Sequence, residues 1–451
     1  MPGMLHQNIT GYIRSNPARW HVPAHKGRGE GFVNRAYDIT ELSFSDNMNY
    51  PASVWLQEQR ELADIFGTKH TLLSTNGSSA AVIAAMCSLL SEGGQAIVGD
   101  NCHISAYYGA LHSSGGLVKA RSANLYEGPG IKAYKKAYEE AKRPQMALIV
   151  SPNYYGISKG LNETISFFHS KGLPVVVDEA HGAHLLFGEG YPKSALELGA
   201  DIVIHSAFKT INGPTQTAFL HCCTDMADIG ALSFWLRSVH TTSPSYALAL
   251  DALAAAQELK TAQNKLSEIK EWYNYIAGSL EGSHMYMINN EPGSCDYMKL
   301  PVSFALTNMP AESASRLLEE KRHIYAEMAS GDIALFCAGL NSTRHDYEML
   351  ASALSSLKPG ARAGALAPGL AAPHAFQAIS MREALRREYE YIDISQAHGR
   401  ISADFLGVYP PGSPIAAPGD ILDEGIIGFF GSVPESSRFG AYGASIKVVR
   451  N

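Results

Sequence analysis

No uncharged apolar run in this 451-residue chain approaches the ~20 residues that cross a membrane. The longest candidates, Val82–Leu90 and Ala252–Ala256, are far shorter. The opening MPGMLHQNITGYIRSN has no apolar centre of signal-peptide length, so a cytoplasmic location is expected. Cysteine is scarce: the six residues Cys87, Cys102, Cys222, Cys223, Cys295 and Cys337 form no CxxC pair and no zinc-like spacing. They read as buried thiols, and no metal is expected. A basic excess is also lacking. Lys plus Arg number 36 against 43 Asp plus Glu, a formal charge of −7, which argues against broad binding to nucleic acid or anionic membranes. What the chain has is an ordinary apolar share, 46%, over a length that implies two or three domains with sizeable cores.

Residues 1–55 are polar, turn-rich and aromatic and read as an arm. From about 56 the pattern alternates. Gln57–Phe66 carries helical apolar spacing, HTLLSTNG reads as a strand stopped by Asn76-Gly77, and Ser78–Leu90 reads as a buried helix. Short β-rich runs follow at Ala96–Val98, Met146–Val150, Pro174–Val177, Asp201–His205 and Thr217–His221. Strands separated by helix-length segments predict an α/β fold with a largely parallel, doubly covered sheet over 56–265. Ser243-Pro244-Ser245 opens a long helix with Leu250, Leu253, Ala256 and Leu259 on one stripe. Residues 266–358 read as a smaller α+β domain, 359–373 as an Ala/Gly/Pro linker and 374–451 as a C-terminal segment.

Four local features carry chemistry. Thr75-Asn76-Gly77-Ser78-Ser79 is a polar strand-to-helix turn whose backbone and hydroxyls suit an anion, although such a turn also serves as a plain cap. It contains neither GxGxxG nor GxxxxGK[ST], which weakens a nucleotide-binding reading. In VVVDEAHGAH, Asp178 ends an apolar strand where open α/β sheets place ligands, or else caps the next helix. His181 and His184 are spaced to suit a metal, but no cluster completes such a site. In DIVIHSAFKT, Lys209 follows a buried strand, where an amine of depressed pKa suits Schiff-base chemistry; a surface lysine is the plainer alternative. After Gly99-Asp100, the ring of His103 could lie on a flat ligand or be structural. Singly these are weak. Their order supplies an anion turn, a stacking ring, a carboxylate for a pyridine nitrogen and an amine for an aldehyde, the set that pyridoxal phosphate requires.

The chain resembles the bacterial ornithine/lysine/arginine decarboxylase family over nearly its whole length. The blocks are HVPAHKG (21–27), DITEL (38–42), NGSSA (76–80), NCHIS (101–105), SPNYYG (151–156), DEAHGAH (178–184), HSAFKT (205–210), TQTAFLH (215–221), TTSPSY (241–246) and GRISADFLGVYPPGSPIAAPGD (399–420). The resemblance implies a fold type I, aspartate aminotransferase-like domain with a mostly parallel seven-stranded sheet, and pyridoxal 5'-phosphate as cofactor. It implies that Lys209 holds the cofactor covalently, Asp178 its pyridine nitrogen and His103 its ring. Gly77, Ser78, Ser79 and Ser206 would hold the phosphate, with His181 also in the cofactor site and His25 near it as a second acid/base. A homodimer or assembly of dimers with shared sites follows too, with a small-molecule amino-acid substrate as the partner; no nucleic-acid or membrane partner is expected, in keeping with the charge.

Departures bear on the reaction. Phe208 stands where decarboxylating members carry His, Ala24 replaces a Gly and Asn153 a Thr. Phe208 can neither position a group nor move a proton. Decarboxylation of arginine, lysine, ornithine or a derivative to a polyamine-type amine is the expected reaction. The alternative keeps the carboxylate and removes the Cα proton, leading to elimination or cyclisation of a modified arginine such as a hydroxylated one, or to transamination. A non-catalytic binding protein is disfavoured by Lys209 and Asp178. Glu41 and Asp46 are candidates for a distal substrate cation, and Arg400 for the substrate carboxylate.

Overall fold

The computed structural model describes residues 3–17, 19, 23, 26, 28, 34–122, 126–289, 291–362, 373, 375–409, 412–433 and 435–450. Most of the 359–373 linker and His25 lie outside the described residues. The fold is α/β. Strands β1 (His70–Ser74), β2 (Gln95–Gly99), β3 (Gly116–Ala120), β4 (Pro144–Val150), β5 (Val175–Asp178), β6 (Ile202–Ser206) and β7 (Ala218–Cys222) form one sheet in the order β1-β7-β6-β5-β4-β2-β3. The pairs β2·β3, β2·β4 and β5·β6 are parallel, whereas β7 runs antiparallel to β6 and β1. The apolar runs read from sequence fall on six of these strands. The seventh, β3, was not anticipated; four of its five residues are half-buried and it carries Lys119, so it has no continuous apolar signature.

Two compact units make up the chain: Met1–Ser88, Ser151–His169 and Pro174–Leu366 in one, and Leu89–Val150, Ser170–Leu173 and Ala367–Asn451 in the other. In the first, the helix Met4–Arg14 sinks Leu5 and Ile9 completely into a core shared with Trp55, Leu62, Leu253 and Leu266. The Leu5 N–H donates to the buried Glu58 carboxylate at 2.8 Å, and burial pushes that carboxyl up against this bond. Helix Val54–Phe66 begins where Asp46 gathers the N–H groups of Ala52, Ser53 and Trp55, and stops at Gly67, whose φ of 66° is left-handed. Ser245 caps helix Tyr246–Glu258, and Leu250, Leu253, Ala256 and Leu259 are buried. Further along, β8 (Tyr286–Met287), β9 (Lys299–Ser303), β10 (Met328–Ser330) and β11 (Ile333–Cys337) form an antiparallel sheet in the order β10-β11-β9-β8, with helices Gln263–Ser279, Ala311–Arg322 and Arg344–Leu357 beside it in sequence.

In the second unit, the strands Tyr389–Asp393, Ala441–Tyr442 and Ser445–Val449 form a small sheet. Ile446 and Val448 pack with Leu406, Leu422 and Phe430. Asp423 caps the helix Glu424–Ser432. Among the described residues no helix is long and apolar enough to cross a membrane.

A buried polar chain lies in the first unit. Thr71 Oγ1 is 2.8 Å from His221 Nδ1, His221 Nε2 is 3.0 Å from His205 Nδ1, and His205 Nε2 is 2.8 Å from Glu179 Oε2. Glu179 accepts only, so His205 donates to it, His221 donates to His205, and Thr71 donates to His221. Burial, then the neighbouring His205, holds the His221 pKa well below the usual imidazole value of 6.5. The unfolded chain therefore takes up this proton first, and stability falls as pH drops below about 6.5. Thermal scans from pH 7.5 to 5 are expected to show a declining Tm. His221→Gln is expected to lower stability by about 1–3 kcal/mol at pH 7.5 but to flatten the decline. An undiminished slope in the variant would place the acid sensitivity elsewhere.

Candidate active site

The carboxyl ends of β5 and β6 bring the site together. Asp178 is the last residue of β5, in register with Ile204 of β6, and only 8% of it is exposed. Its Oδ1 accepts the Ala180 N–H at 3.2 Å. Lys209 follows β6 on a turn pinned by Ala207 N–H to Thr217 O (3.0 Å), Gly213 N–H to Ala207 O (2.8 Å) and Leu340 N–H to Thr210 O (3.1 Å). The Lys209 ammonium lies 3.2 Å from His181 Nε2. Desolvation lowers the Lys209 pKa, and the cation Lys299 adds to this, while Asp178 opposes both. His181 is held well below its usual value by burial and then by Lys299 and Lys209, so it is neutral and accepts from Lys209. Its buried Nδ1 has no hydrogen-bond partner among the described residues.

The anion turn sits in the same unit. Asn76 donates to Ser74 Oγ from its backbone at 3.1 Å and to Val239 O from its side chain at 2.7 Å, and His240 Nε2 is 3.0 Å from Thr75 N. Gly77 adopts φ +78°, and its N–H is taken by Gln216 O at 2.9 Å, so this residue shapes the turn rather than offering its own donor. Helix Gly77–Leu89 then begins with the half-buried Ser78 and the exposed Ser79. Ser206 Oγ donates to Ser78 Oγ at 3.0 Å, which joins the end of β6 to the head of this helix. A desolvated amine of lowered pKa, a strand-end carboxylate and two hydroxyls at a helix N-terminus are the donor set that an aldehyde, a pyridine nitrogen and a phosphate need, and the orphaned His181 nitrogen marks room for a further polar group. The residues present fit pyridoxal phosphate.

The other sequence candidates have local partners of their own. His103 belongs to the second unit, where it caps helix Ile104–Ser113: its Nδ1 accepts the Ser105 N–H at 3.2 Å. Arg400 is partly engaged, and its buried Nε has no hydrogen-bond partner among the described residues. Its guanidinium is committed in the second unit to Glu390 at 2.6 Å and to Val449 O at 2.9 Å. Asp46 is likewise spent on its helix: burial raises its pKa, but four backbone N–H bonds outweigh this and hold it below the usual carboxylate range. Glu41 is half-buried in the first unit. His184 and His181 diverge, since His184 pairs with the fully buried Asp296 at 2.9 Å while His181 meets Lys209. Among the described residues no group of three His, Cys, Asp or Glu could hold a metal.

Two site residues, Tyr154 and Lys299, had not been singled out from sequence. The Tyr154 ring stands edge-on to His181 at 5.5 Å, and its hydroxyl donates to Glu327 at 2.7 Å. Lys299, at the start of β9, is 1% exposed and donates to Cys337 Sγ at 3.1 Å. A single Lys inside the apolar run MKLPVSF was the available signal for the last.

Fold and site together define an α/β protein with a desolvated lysine at a sheet's carboxyl edge. The chain matches the models for the Orn/Lys/Arg decarboxylase major domain over residues 4–278 and for the C-terminal domain over 368–439. It belongs to the Orn/Lys/Arg decarboxylase family. An arginine decarboxylase of Halalkalibacterium halodurans is 27% identical over 97% of this chain and 94% of its own length. The lysine decarboxylase LdcF of Francisella novicida shares the fold, with a TM-score of 0.83 at 17% identity over 100% of this chain and 81% of that one. An SPT structure carrying PLP has a TM-score of 0.57 at 16% identity over 70% of this chain and 80% of that one. The fold is thus that of fold type I.

Proposed function

We propose that the protein is a pyridoxal phosphate enzyme that decarboxylates a basic amino acid: arginine, lysine, ornithine or a derivative. The observation that carries this is Lys209, desolvated between Asp178 and His181 at the carboxyl edge of the sheet. Family membership and the arginine and lysine decarboxylases it resembles support the substrate class. When bound, the cofactor supplies an aldehyde for amines and a pyridine ring that draws electrons from the substrate Cα. Asp178 would keep a positive charge on the pyridine nitrogen, Ser78, Ser79 and Ser206 would hold the phosphate, and Lys209 would hold the cofactor and supply a proton-transfer group beside Cα. Neutral His181 accepts or returns a proton at Lys209 Nζ. A ring from His103 over the cofactor, a second acid/base in His25, a cytoplasmic location and a homodimer or assembly of dimers sharing sites are part of the same proposal, and they rest on the family resemblance.

Phe208 favours a second reading. It is 36% exposed directly before Lys209, and it cannot relay protons where decarboxylating relatives carry a His. In that reading Cα loses its proton, not its carboxylate, on the way to elimination, cyclisation or transamination. One experiment separates the two: mass spectrometry of products from basic and hydroxylated amino acids in deuterated water with the cofactor-loaded enzyme. Release of CO2 with the amine as product is expected. Deuterium at Cα with the carboxylate retained would replace the first reading with the second. No product from any amino acid would count against both.

A further inference from the structure

Lys299 is a charged side chain enclosed by the protein, and an enclosed ammonium is costly unless an anion meets it. Among the described residues its ammonium donates to the Cys337 thiol and stands 5.7 Å over the Tyr154 ring, with no ion pair to an Asp or Glu. The thiol is a weak substitute for an anion. Burial pushes the Cys337 pKa up and outweighs the pull of Lys299, so the sulfur stays protonated. Two carboxylates lie nearby without an ion pair to Lys299: Asp296 gives Oδ1 to His184 and to the Met298 N–H while its buried Oδ2 has no hydrogen-bond partner among the described residues, and the exposed Glu327 takes the Tyr154 hydroxyl.

The placement of Lys299 is built rather than incidental. The Asp296 backbone N–H donates to Gly156 O at 2.9 Å, and the Lys299 N–H donates to Asp296 O at 3.0 Å. The lysine stem runs against Gly156, where an added Cβ would come within 2.5 Å of Lys299 Cβ. Gly156 sits at φ +80°, so both its conformation and its lack of a side chain serve this approach. The charge of Lys299 bears on His181 and on Lys209. A cation without an ion pair to a carboxylate therefore bears on the reacting amine.

We propose that Lys299 binds the α-carboxylate of the amino-acid substrate. This deepens the function proposed above and rests on it. An α-amino acid whose nitrogen approaches Lys209 brings one anion with it, attached to the same Cα. That carboxylate supplies the charge that Lys299 lacks, beside the Cys337 thiol and the Tyr154 ring. The contact belongs to the ground state, because the carboxylate loses its charge as CO2 departs.

The test compares arginine, lysine and ornithine with their decarboxylated amines, by isothermal titration of the parent protein, Lys299→Met and Lys299→Arg. The parent is expected to bind each amino acid more tightly than its amine. Lys299→Met is expected to weaken amino-acid binding on the order of 10- to 100-fold and to leave amine binding within about twofold. Lys299→Arg is expected to recover part of the preference. Methionine matches the stem without a charge, so this variant remains folded with an equal or higher Tm. Equal weakening of amine and amino acid, no change in either, or a loss of pyridoxal phosphate affinity with an unchanged preference would each overturn the assignment. Borohydride reduction followed by mass spectrometry of the parent reports separately on cofactor attachment, so a failure of the functional reading is told apart from a failure of this one.

Discussion

Lys209→Ala is expected to abolish turnover, by on the order of 10³-fold or more, while leaving the fold intact. The reason is local. The Lys209 ammonium is desolvated and faces a neutral imidazole and the field of Lys299, so at neutral pH a larger share of it is unprotonated than for an ordinary lysine. That share is what attacks an aldehyde. Alanine removes the amine but none of the backbone bonds that pin the turn through Ala207, Gly213 and Thr210. Stability is expected to stay within about 1 kcal/mol of the parent. Borohydride treatment of the loaded parent should add the reduced cofactor mass to the peptide that contains Lys209, and the variant should show no such addition. A variant that still turns over or still carries the mass would move the chemistry to another amine.

Asp178→Asn is expected to cost on the order of 10²- to 10³-fold in kcat, again without unfolding. Asparagine keeps an oxygen for the Ala180 N–H but removes the negative charge that a protonated pyridine nitrogen requires. A second consequence needs no cofactor. Asp178 supports the charged form of Lys209, against the desolvation and the Lys299 field that lower its pKa. Without that carboxylate the pKa falls further, and the cofactor-free variant should react with an amine reagent at lower pH than the parent. If both proteins label along the same pH curve, the two groups are not coupled as described.

Most of the sheet was legible because its strands are buried on both faces and read as short apolar runs closed by turn residues, as at Val175–Asp178 and Ile202–Ser206. Asp178 and Lys209 were legible for the same reason, since a polar group at the end of such a run is placed by the run itself. The strand Gly116–Ala120 escaped because a half-buried strand carrying a lysine has no such signature. Arg400 and Asp46 misled for a different reason. Residue type announces a charge but not its commitments, and Glu390 and the helix at Val54 had already claimed them. Lys299 is the converse case. Its importance comes from what surrounds it, namely Cys337 from β11 and Tyr154 from a distant loop, and neither neighbour is visible along the chain. His103 shows a third limit: its capping bond to Ser105 was local enough to guess, but a local bond does not reveal which ligand a ring faces.

The first unit draws on three separated stretches, and its core needs Leu5 and Ile9 from the beginning to meet Leu253, Leu266 and Leu354 from far downstream. A ribosome delivers the early helix long before those partners exist. Met4–Arg14 can lay its stripe on Val54–Phe66 early, where the Leu5 N–H meets Glu58, but the core is complete only when residues beyond 350 have emerged, and closing so long a loop makes the last step of maturation slow. Until then the part-built core exposes apolar surface, which is what a nascent-chain chaperone would bind.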